Sequence, residues 1–153
     1  MFRHMLAGAL IAVLLAAAVC GIVEDAPLAD TVVSAAREQL GKPYAYSAAG
    51  EDSFDCSGLV CYCFGRAGIE LPRTARDIGY DERFSRIESI EDLRKGDIAC
   101  FDTVADGDLS DHVGICLGDN QVLHASSGQG KVVISELTGY FEETFSWGLR
   151  PLD

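Results

Sequence analysis

The fold of this chain is indicated by the stretch Phe54-Asp55-Cys56-Ser57-Gly58-Leu59-Val60. Apolar residues continue beyond it at helical spacing, so a helix is predicted to begin at Cys56 and to end before Gly68. Asp55 is the predicted N-cap, because its carboxylate can accept hydrogen bonds from the free N–H groups of the first turn. A thiol at a helix N-terminus faces the positive end of the helix dipole, which lowers its pKa and favours the thiolate. Cys56 is therefore a candidate nucleophile.

A second stretch, residues 112–126, contains two histidines. Two β-type runs flank Gly-Asp-Asn at 118–120, which predicts a hairpin. Apolar residues at 113, 115 and 117 alternate onto one face, so His112 and Gly114 lie on the other. A three-residue loop would make His112 and His124 diagonal neighbours about 7–8 Å apart at the backbone, with Gly114 leaving room between them.

A cysteine nucleophile needs a base, and the base needs a third group that fixes its orientation. Free cysteines are usually small buried apolar side chains, which is the other interpretation of Cys56. Two histidines on a hairpin face of small residues are not easily explained by core packing. We therefore predict that His112 pairs with Cys56 and that His124 orients His112.

Six segments carry a family resemblance: Gly41-Lys42-Pro43-Tyr44, the Asp-Cys-Ser-Gly-Leu-Val run at 55–60, Gly-Ile-Glu-Leu-Pro-Arg-Thr at 68–74, Gly96-Asp97, His112-Val113-Gly114-Ile115 and His124-Ala125-Ser126. In this order they resemble the NlpC-type cell-wall peptidases, a papain-like family of bacterial cysteine endopeptidases that act on peptidoglycan stem peptides. The resemblance spans about residues 30–150. The cysteine run and the His-Val-Gly-Ile run are specific only in combination.

The resemblance implies an α+β fold of the papain-like kind. N-terminal helices should pack on an antiparallel β-sheet, with the nucleophile Cys56 at a helix N-terminus. The implied reaction is hydrolysis of the bond between D-glutamate, through its γ-carboxyl, and the diamino acid of the stem peptide. No metal or other cofactor is implied. The expected partner is the stem peptide, and the expected state is a monomer.

The resemblance also implies roles for individual residues. The implied catalytic residues are Cys56 as nucleophile, His112 as general base and acid, and His124 as the orienting member. The implied substrate-binding residues are Tyr44, which also matches a position beside the oxyanion, with Asp55 and Ser57. Arg73 matches a motif position near the cleft, and its role stays open.

This sequence departs from the family pattern at Tyr46-Ser47-Ala48, where the family often has an aromatic residue followed by two glycines. Since that loop borders the cleft, the departure concerns substrate fit more than chemistry. Two rival functions stay open. One is an amidase on the same scaffold that cuts between glycan and peptide, and the other is a non-catalytic envelope-binding protein. A binding protein would have no need for all of Cys56, His112 and His124.

The composition excludes some partners and sites. The 153-residue chain carries a formal net charge of −12, which argues against binding to nucleic acid or to an anionic lipid surface. Its six cysteines lack the paired spacing of a zinc site. Cys63, Cys100 and Cys116 are predicted to be packing residues. The Asp-Gly-Asp run at 106–108 lacks the pattern of an EF-hand calcium loop, so an ordinary loop is favoured.

The N-terminus predicts export. Residues 1–19 combine a basic start, an apolar run and small residues, as a signal peptide does. We expect a short linker over 20–29 and a catalytic domain over 30–153, in a secreted or envelope protein. An uncleaved anchor and a lipid on Cys20 are alternatives, although the residues before Cys20 match the lipid-attachment pattern weakly.

The remaining elements are predicted from local pattern. A first helix should begin at a cap formed by Asp30 or Thr31, bury a face that includes Leu40, and stop at Gly41. Further predictions are a short helix ending near Tyr80, an irregular charged stretch over 81–95, and strands over 98–101, 132–137 and 145–149.

Overall fold

The computed structural model describes residues 26–153. The predicted signal peptide and Cys20 lie outside these residues. The helices are α1 (Ala26–Glu38), α2 (Cys56–Arg66), α3 (Ala75–Gly79) and α4 (Tyr140–Thr144), and a 3₁₀ turn spans Ile90–Asp92. The strands are β1 (Ala49–Gly50), β2 (Ser53–Phe54), β3 (Ser85–Ile87), β4 (Ile98–Phe101), β5 (His112–Gly118), β6 (Gln121–Ser126), β7 (Lys131–Glu136) and β8 (Phe145–Arg150). Within the described range, no helix is both long enough and apolar enough to span a bilayer.

Six strands form one antiparallel sheet in the order β3-β8-β4-β5-β6-β7. Helices α1 and α2 pack on each other, and α2 also packs on β5 and β6. Leu59 and Phe64 of α2 share the main core with Val113 and Ile115 of β5, and all four side chains are fully buried. The expected α+β fold is confirmed.

Helix α2 begins where the sequence predicts. The Asp55 carboxylate accepts a hydrogen bond from the backbone N–H of Gly58 at 2.6 Å, as an N-cap does. The helix ends at Arg66, just before Gly68. A Cβ at Gly58 would lie 2.1 Å from the carbonyl oxygen of Ala48. The absent side chain therefore lets the loop before the helix come against its first turn.

Helix α1 begins earlier than predicted. It starts at Ala26, so the predicted cap at Asp30 or Thr31 is wrong, and residues 26–29 are helical rather than linker. Pro27 is compatible with this start, because the first turn has no acceptor for the N–H that proline lacks. The Asp30 carboxylate instead pairs with the Lys95 ammonium. Leu40 lies past the helix end and is 41% exposed, so its predicted place on the buried face is also wrong.

The β5–β6 hairpin turns differently from the prediction but keeps the predicted register. Asp119 and Asn120 form a two-residue turn with φ of 52° and 60°, as a type I′ turn requires. The pairing shifts between Cys116 and Gly118, and beyond that irregularity Ile115 pairs with Leu123. Between these pairs, strand β5 contains one residue more than β6. This extra residue offsets the shorter turn, so the pairing toward the histidines is the one that a three-residue loop would give.

Several short elements differ from the sequence-based expectation, among them β3 and α4. The stretch over 81–95, predicted to be irregular, contains β3, which pairs with β8 through Ile87 and Gly148. Helix α4 fills the connection between β7 and β8. Both elements are too short to show a periodic pattern of their own.

Residues 41–44 lie along the outer edge of β7. The N–H of Gly41 donates to the carbonyl of Val132 and the N–H of Val132 to the carbonyl of Lys42, each at 2.9 Å. The N–H of Tyr44 donates to the carbonyl of Gly130, also at 2.9 Å. This pairing fixes the segment that leads to α2 and delivers Tyr44 beside it.

Candidate active site

The Cys56 thiol lies half-buried at the first turn of α2, beside β5. Burial raises its pKa above the ordinary value, and the Asp55 charge adds to that effect. The backbone N–H groups of Val113, Ser57 and Cys56 itself act in the opposite direction and lower the pKa. The sequence-based expectation of a lowered pKa is therefore wrong, because desolvation outweighs the helix N-terminus. Cys56 therefore rests as a thiol at neutral pH.

The two hairpin histidines are in direct contact. Nε2 of His112 lies 3.0 Å from Nδ1 of His124, and the rings meet edge to face with centroids 5.0 Å apart. A Cβ at Gly114 would lie 3.2 Å from the Cβ of His124 and 2.6 Å from Cγ2 of Val122. Glycine at this position therefore provides the space that the sequence pattern predicted.

His124 has a second partner, which the sequence did not reveal. Its Nε2 lies 2.9 Å from Oγ of Ser135 on the neighbouring strand β7. His124 is only 3% exposed, so both ring nitrogens need partners within the protein. The pattern of β7 places Ser135 on the same face as Val133, which pairs with His124. Only the register between β6 and β7 reveals this contact, and the local sequence does not contain that register.

Both imidazoles rest in the neutral form. Burial lowers the pKa of His112 to about 4, although the negative charge of Asp111 opposes the shift. Burial also lowers the pKa of His124 to about 3, and the neighbouring His112 adds to that effect. At neutral pH the site therefore combines a thiol with two uncharged rings, one of which can accept a proton.

Asp111 holds the loop over residues 102–111 next to His112. Its carboxylate accepts hydrogen bonds from the N–H groups of Thr103 and Val104, each at 2.8 Å, and from the Thr103 hydroxyl. The Asp-Gly-Asp run lies within this loop. Among residues 26–153, no three His, Cys, Asp or Glu side chains cluster closely enough to hold a metal ion.

On the other side of Cys56, Asp55, Ser57 and Arg73 form a charged cluster. Arg73 Nη2 lies 2.8 Å from Asp55 Oδ2, and Arg73 Nη1 donates to Ser57 Oγ at 2.8 Å. Ser57 is buried, whereas the Arg73 side chain is 43% exposed. The sequence left the role of Arg73 open, and its place is beside the two predicted substrate-binding residues.

Tyr44 is half-buried close to Cys56. Burial raises the pKa of its hydroxyl, and the neighbouring Cys56 and Asp55 side chains raise it further. Tyr46, two residues later, is 89% exposed, and its charge adds to the upward shift of the Tyr44 pKa. The departure from the family pattern at Ser47 carries a backbone cost, because its φ is +60°, a value that glycine adopts more readily.

A cavity of about 330 Å³ lies against the two histidines. Its walls are Thr103, His112, His124, Ser126, Ser127, Gly128, Tyr140 and Phe141. The Phe141 ring packs on His124 with the centroids 5.0 Å apart. Tyr140 and Phe141 were not among the predicted site residues, because α4 itself was not predicted.

The other described cysteines are free thiols outside this site. Cys63, Cys100 and Cys116 are almost fully buried, which confirms that they are packing residues. Burial raises the pKa of Cys63 and of Cys100 to about 12. Cys61 is half-buried, and its thiol donates to the Pro72 carbonyl at 3.1 Å.

Known proteins resemble this chain in both sequence and structure. The sequence profile of the NlpC/P60 family matches residues 41–150. Probable endopeptidase YafL of Escherichia coli (strain K12) is 34% identical over 125 residues, which are 80% of this chain and 49% of that protein. The bifunctional muramidase/DL-endopeptidase CwlT of Bacillus subtilis (strain 168) is 35% identical over 117 residues, which are 74% of this chain and 34% of that protein. The chain thus spans half or less of the length of these relatives.

A solved structure shares the fold. The peptidoglycan hydrolase RipB of Mycobacterium tuberculosis superposes on this chain with a TM-score of 0.70 and 26% sequence identity. The match covers 84% of this chain and 67% of the RipB chain. The helices and the antiparallel sheet described above therefore have an experimentally determined counterpart.

Proposed function

This chain belongs to the NlpC/P60 family, and on that premise we propose that it is a cysteine peptidase that hydrolyses peptidoglycan stem peptides. The observation that carries the proposal is the contact between His112 and His124 on the strand pair beside the Cys56 helix. Support for the substrate comes from RipB, which is named a peptidoglycan hydrolase, and from CwlT, which is named a DL-endopeptidase. We propose the bond after D-γ-glutamate as the one cleaved.

The proposed reaction starts from neutral groups. Nδ1 of His112 takes the proton of the Cys56 thiol while the sulfur attacks the scissile carbonyl. The backbone N–H of Cys56 and the Tyr44 hydroxyl donate to the oxyanion. The intermediate collapses when His112 gives its proton to the leaving amine. Water then attacks the thioester, again with His112 as base, and Cys56 regains its proton.

The charged cluster is the proposed contact for the peptide on the acyl side. Asp55 is also the helix cap, so its carboxylate orients the first turn of α2. Arg73 binds Asp55 and Ser57 together and holds both side chains in one arrangement. No metal or organic cofactor enters this proposal.

Export is a separate proposal. We propose that residues 1–19 direct the protein out of the cytoplasm and that the catalytic domain acts as a monomer in the envelope or the medium. The support is the sequence pattern of the N-terminus together with a substrate that lies outside the cell membrane. N-terminal sequencing of protein recovered from the medium and the envelope would locate the cleavage, and an intact Met1 would argue for an anchor.

The peptidase proposal is tested with the purified full-length protein, a Cys56→Ala variant and a Cys61→Ala variant. The last is a matched control, because it removes another half-buried thiol of the same helix. Each protein is incubated with defined stem peptides, and the products are identified by mass spectrometry. Cleavage after D-glutamate by the wild type and the control, but not by Cys56→Ala, is expected.

Other outcomes separate the rival functions. A cut at the bond between the lactyl group and alanine would assign an amidase. No turnover by folded protein that still binds the stem peptide would contradict the enzyme and favour the envelope-binding protein.

A further inference from the structure

The positions of the hydrogens on His112 and His124 determine whether the Ser135 hydroxyl donates or accepts a hydrogen bond. Only one hydrogen can lie between Nε2 of His112 and Nδ1 of His124, which are 3.0 Å apart. In one arrangement His112 donates, and His124 then carries its own hydrogen on Nε2, pointing at Ser135 Oγ. In the other arrangement His124 donates and Ser135 donates to His124.

Only the first arrangement is compatible with the proposed chemistry. A His112 ring that has accepted a proton on Nδ1 carries hydrogens on both nitrogens. Its Nε2–H must then donate to His124, and the hydrogen of His124 must lie on Nε2. At the moment of charge formation, the Ser135 hydroxyl is therefore the acceptor at the end of the chain.

Burial makes that acceptor important. His124 is 3% exposed, and its ring is covered by Phe141, so a hydrogen on Nε2 finds its acceptor in the Ser135 hydroxyl, 2.9 Å away. A buried N–H without an acceptor is unfavourable, and the cost would appear each time His112 becomes an imidazolium. Linked hydrogen bonds also polarise one another, which strengthens the hydrogen bond that the charged His112 ring donates.

The other charged and titratable groups near His112 do not serve this purpose. Asp111 lies beside it in the chain, but its carboxylate is engaged by Thr103 and Val104. The Cys56 thiol of α2 is the proton donor in the reaction. Helix α4 presents Tyr140 and Phe141 to the cavity beside His112, and Tyr140, Glu142 and Glu143 are exposed.

We propose that Ser135 is a positioning residue that completes a hydrogen-bonded chain from His112 through His124 and enables His112 to carry the transferred proton. The inference rests on the proposed function. Ser135 does not touch the substrate, so it acts on the chemical step and not on binding.

The variants are Ser135→Ala, which removes the hydroxyl, and Ser135→Thr, which retains it. Ser146→Ala is the matched control, since it removes a half-buried strand hydroxyl of β8 away from the site. We expect Ser135→Ala to lower kcat for the stem peptide by about tenfold to a hundredfold, with KM little changed. Ser135→Thr should recover most of the loss, and Ser146→Ala should match the wild type.

Two readouts do not depend on peptide turnover. The rate of Cys56 alkylation by iodoacetamide is measured against pH, and ring ¹⁵N NMR shifts report which nitrogen of His124 carries hydrogen. Ser135→Ala should slow alkylation at neutral pH, because the imidazolium is less stable, and it should change the His124 ¹⁵N pattern. Wild type should show hydrogen on Nε2 of His124.

The outcomes separate the two proposals. If wild type cleaves no stem peptide, the proposed function fails, while alkylation and NMR still test Ser135. If Ser135→Ala folds and keeps wild-type turnover, alkylation profile and His124 tautomer, the role of Ser135 is overturned. A loss of thermal stability alone, without a change in those readouts, would also overturn it.

Discussion

At the scale of single residues, the pKa directions of Cys56 and His112 set the expected pH dependence. Burial raises the pKa of the thiol and lowers the pKa of the imidazole to about 4. In the proposed mechanism the neutral thiol and the neutral imidazole are the reactive form, so protonation of His112 would end activity on the acid side.

We therefore predict that kcat/KM for a stem peptide at pH 5 stays close to its value at pH 7 and falls near pH 4. The measurement is a pH–rate profile with the full-length protein, accompanied by a check that the protein remains folded at each pH. An acid limb centred near 6.5, the ordinary value for histidine, would show that the ring is solvated during the reaction.

The sequence predicts the positions of the candidate site residues well and their surroundings poorly. Cys56 was recognisable because a cap, a thiol and a helical pattern are adjacent in the chain. His112 and His124 were recognisable because a hairpin turn fixes which residues share a face. Ser135 and the raised pKa of Cys56 were not recognisable from the sequence, since they depend on packing between distant segments.

At the scale of elements, α2 and the preceding loop are in close contact beside Cys56. A Cβ at Gly58 would collide with the Ala48 carbonyl oxygen at 2.1 Å. The N–H of Asp55 donates to that same oxygen at 2.7 Å, so the loop cannot move away without losing this bond. The loop also contains Tyr44, and a displacement would reach the proposed oxyanion site.

Gly58→Ala is predicted to destabilise the protein by about 1–3 kcal/mol through overpacking and to lower kcat. Gly65→Ala is the control on the same helix, because a methyl group added to its Cα would meet nothing within 4 Å. It should raise the free energy of unfolding by roughly 0.5–1 kcal/mol. Urea unfolding and turnover of both variants check this, and equal behaviour of the two would contradict it.

Helix α4 supplies one wall of the cavity beside His112. In the proposed reaction His112 gives its proton to the leaving amine, so the residue released with that amine would lie against it. The cavity is the space available there, and Tyr140 lines it while remaining 55% exposed. Its side chain is therefore accessible to a bound peptide in the proposed reaction.

We predict that Tyr140→Ala lowers kcat/KM several-fold for peptides with a diamino acid after D-glutamate, and less for peptides with alanine there. Competition between the two peptides, analysed by mass spectrometry, gives the ratio directly. Tyr80→Ala, which changes an exposed tyrosine elsewhere, should leave the ratio unchanged. An unchanged ratio for Tyr140→Ala would place the leaving residue outside the cavity.

The long elements could be predicted from periodicity, whereas the short ones could not. Helix α2 and strands β4–β8 each follow a local pattern, and their positions agree with the sequence analysis to within a few residues. Strand β3 and helix α4 are stabilised by their neighbours in the sheet and the cavity wall. Helix α1 extends past its predicted cap because proline is accepted in a first turn.

At the scale of the whole molecule, the buried histidines couple stability to pH. Their folded-state pKa values, about 4 for His112 and about 3 for His124, lie below the unfolded value near 6.5. Between those limits the unfolded chain binds more protons than the folded chain, so stability rises with pH in this window and falls as the solution is acidified.

We predict that the free energy of unfolding falls between pH 7 and pH 4 by on the order of 3 kcal/mol from His112 alone. Urea unfolding at several pH values measures the fall. His112→Gln should show a shallower slope than the wild type over the same range. Parallel slopes would mean that the ring is not buried in solution.

The segment along the outer edge of β7 has a consequence for self-association. An open edge strand exposes unpaired N–H and C=O groups that can template aggregation with another chain. Residues 41–44 occupy part of that edge, and the opposite edge of the sheet is β3, only three residues long. Among the described residues, the sheet therefore leaves little backbone for edge-to-edge growth, which favours a protein that stays dispersed at high concentration.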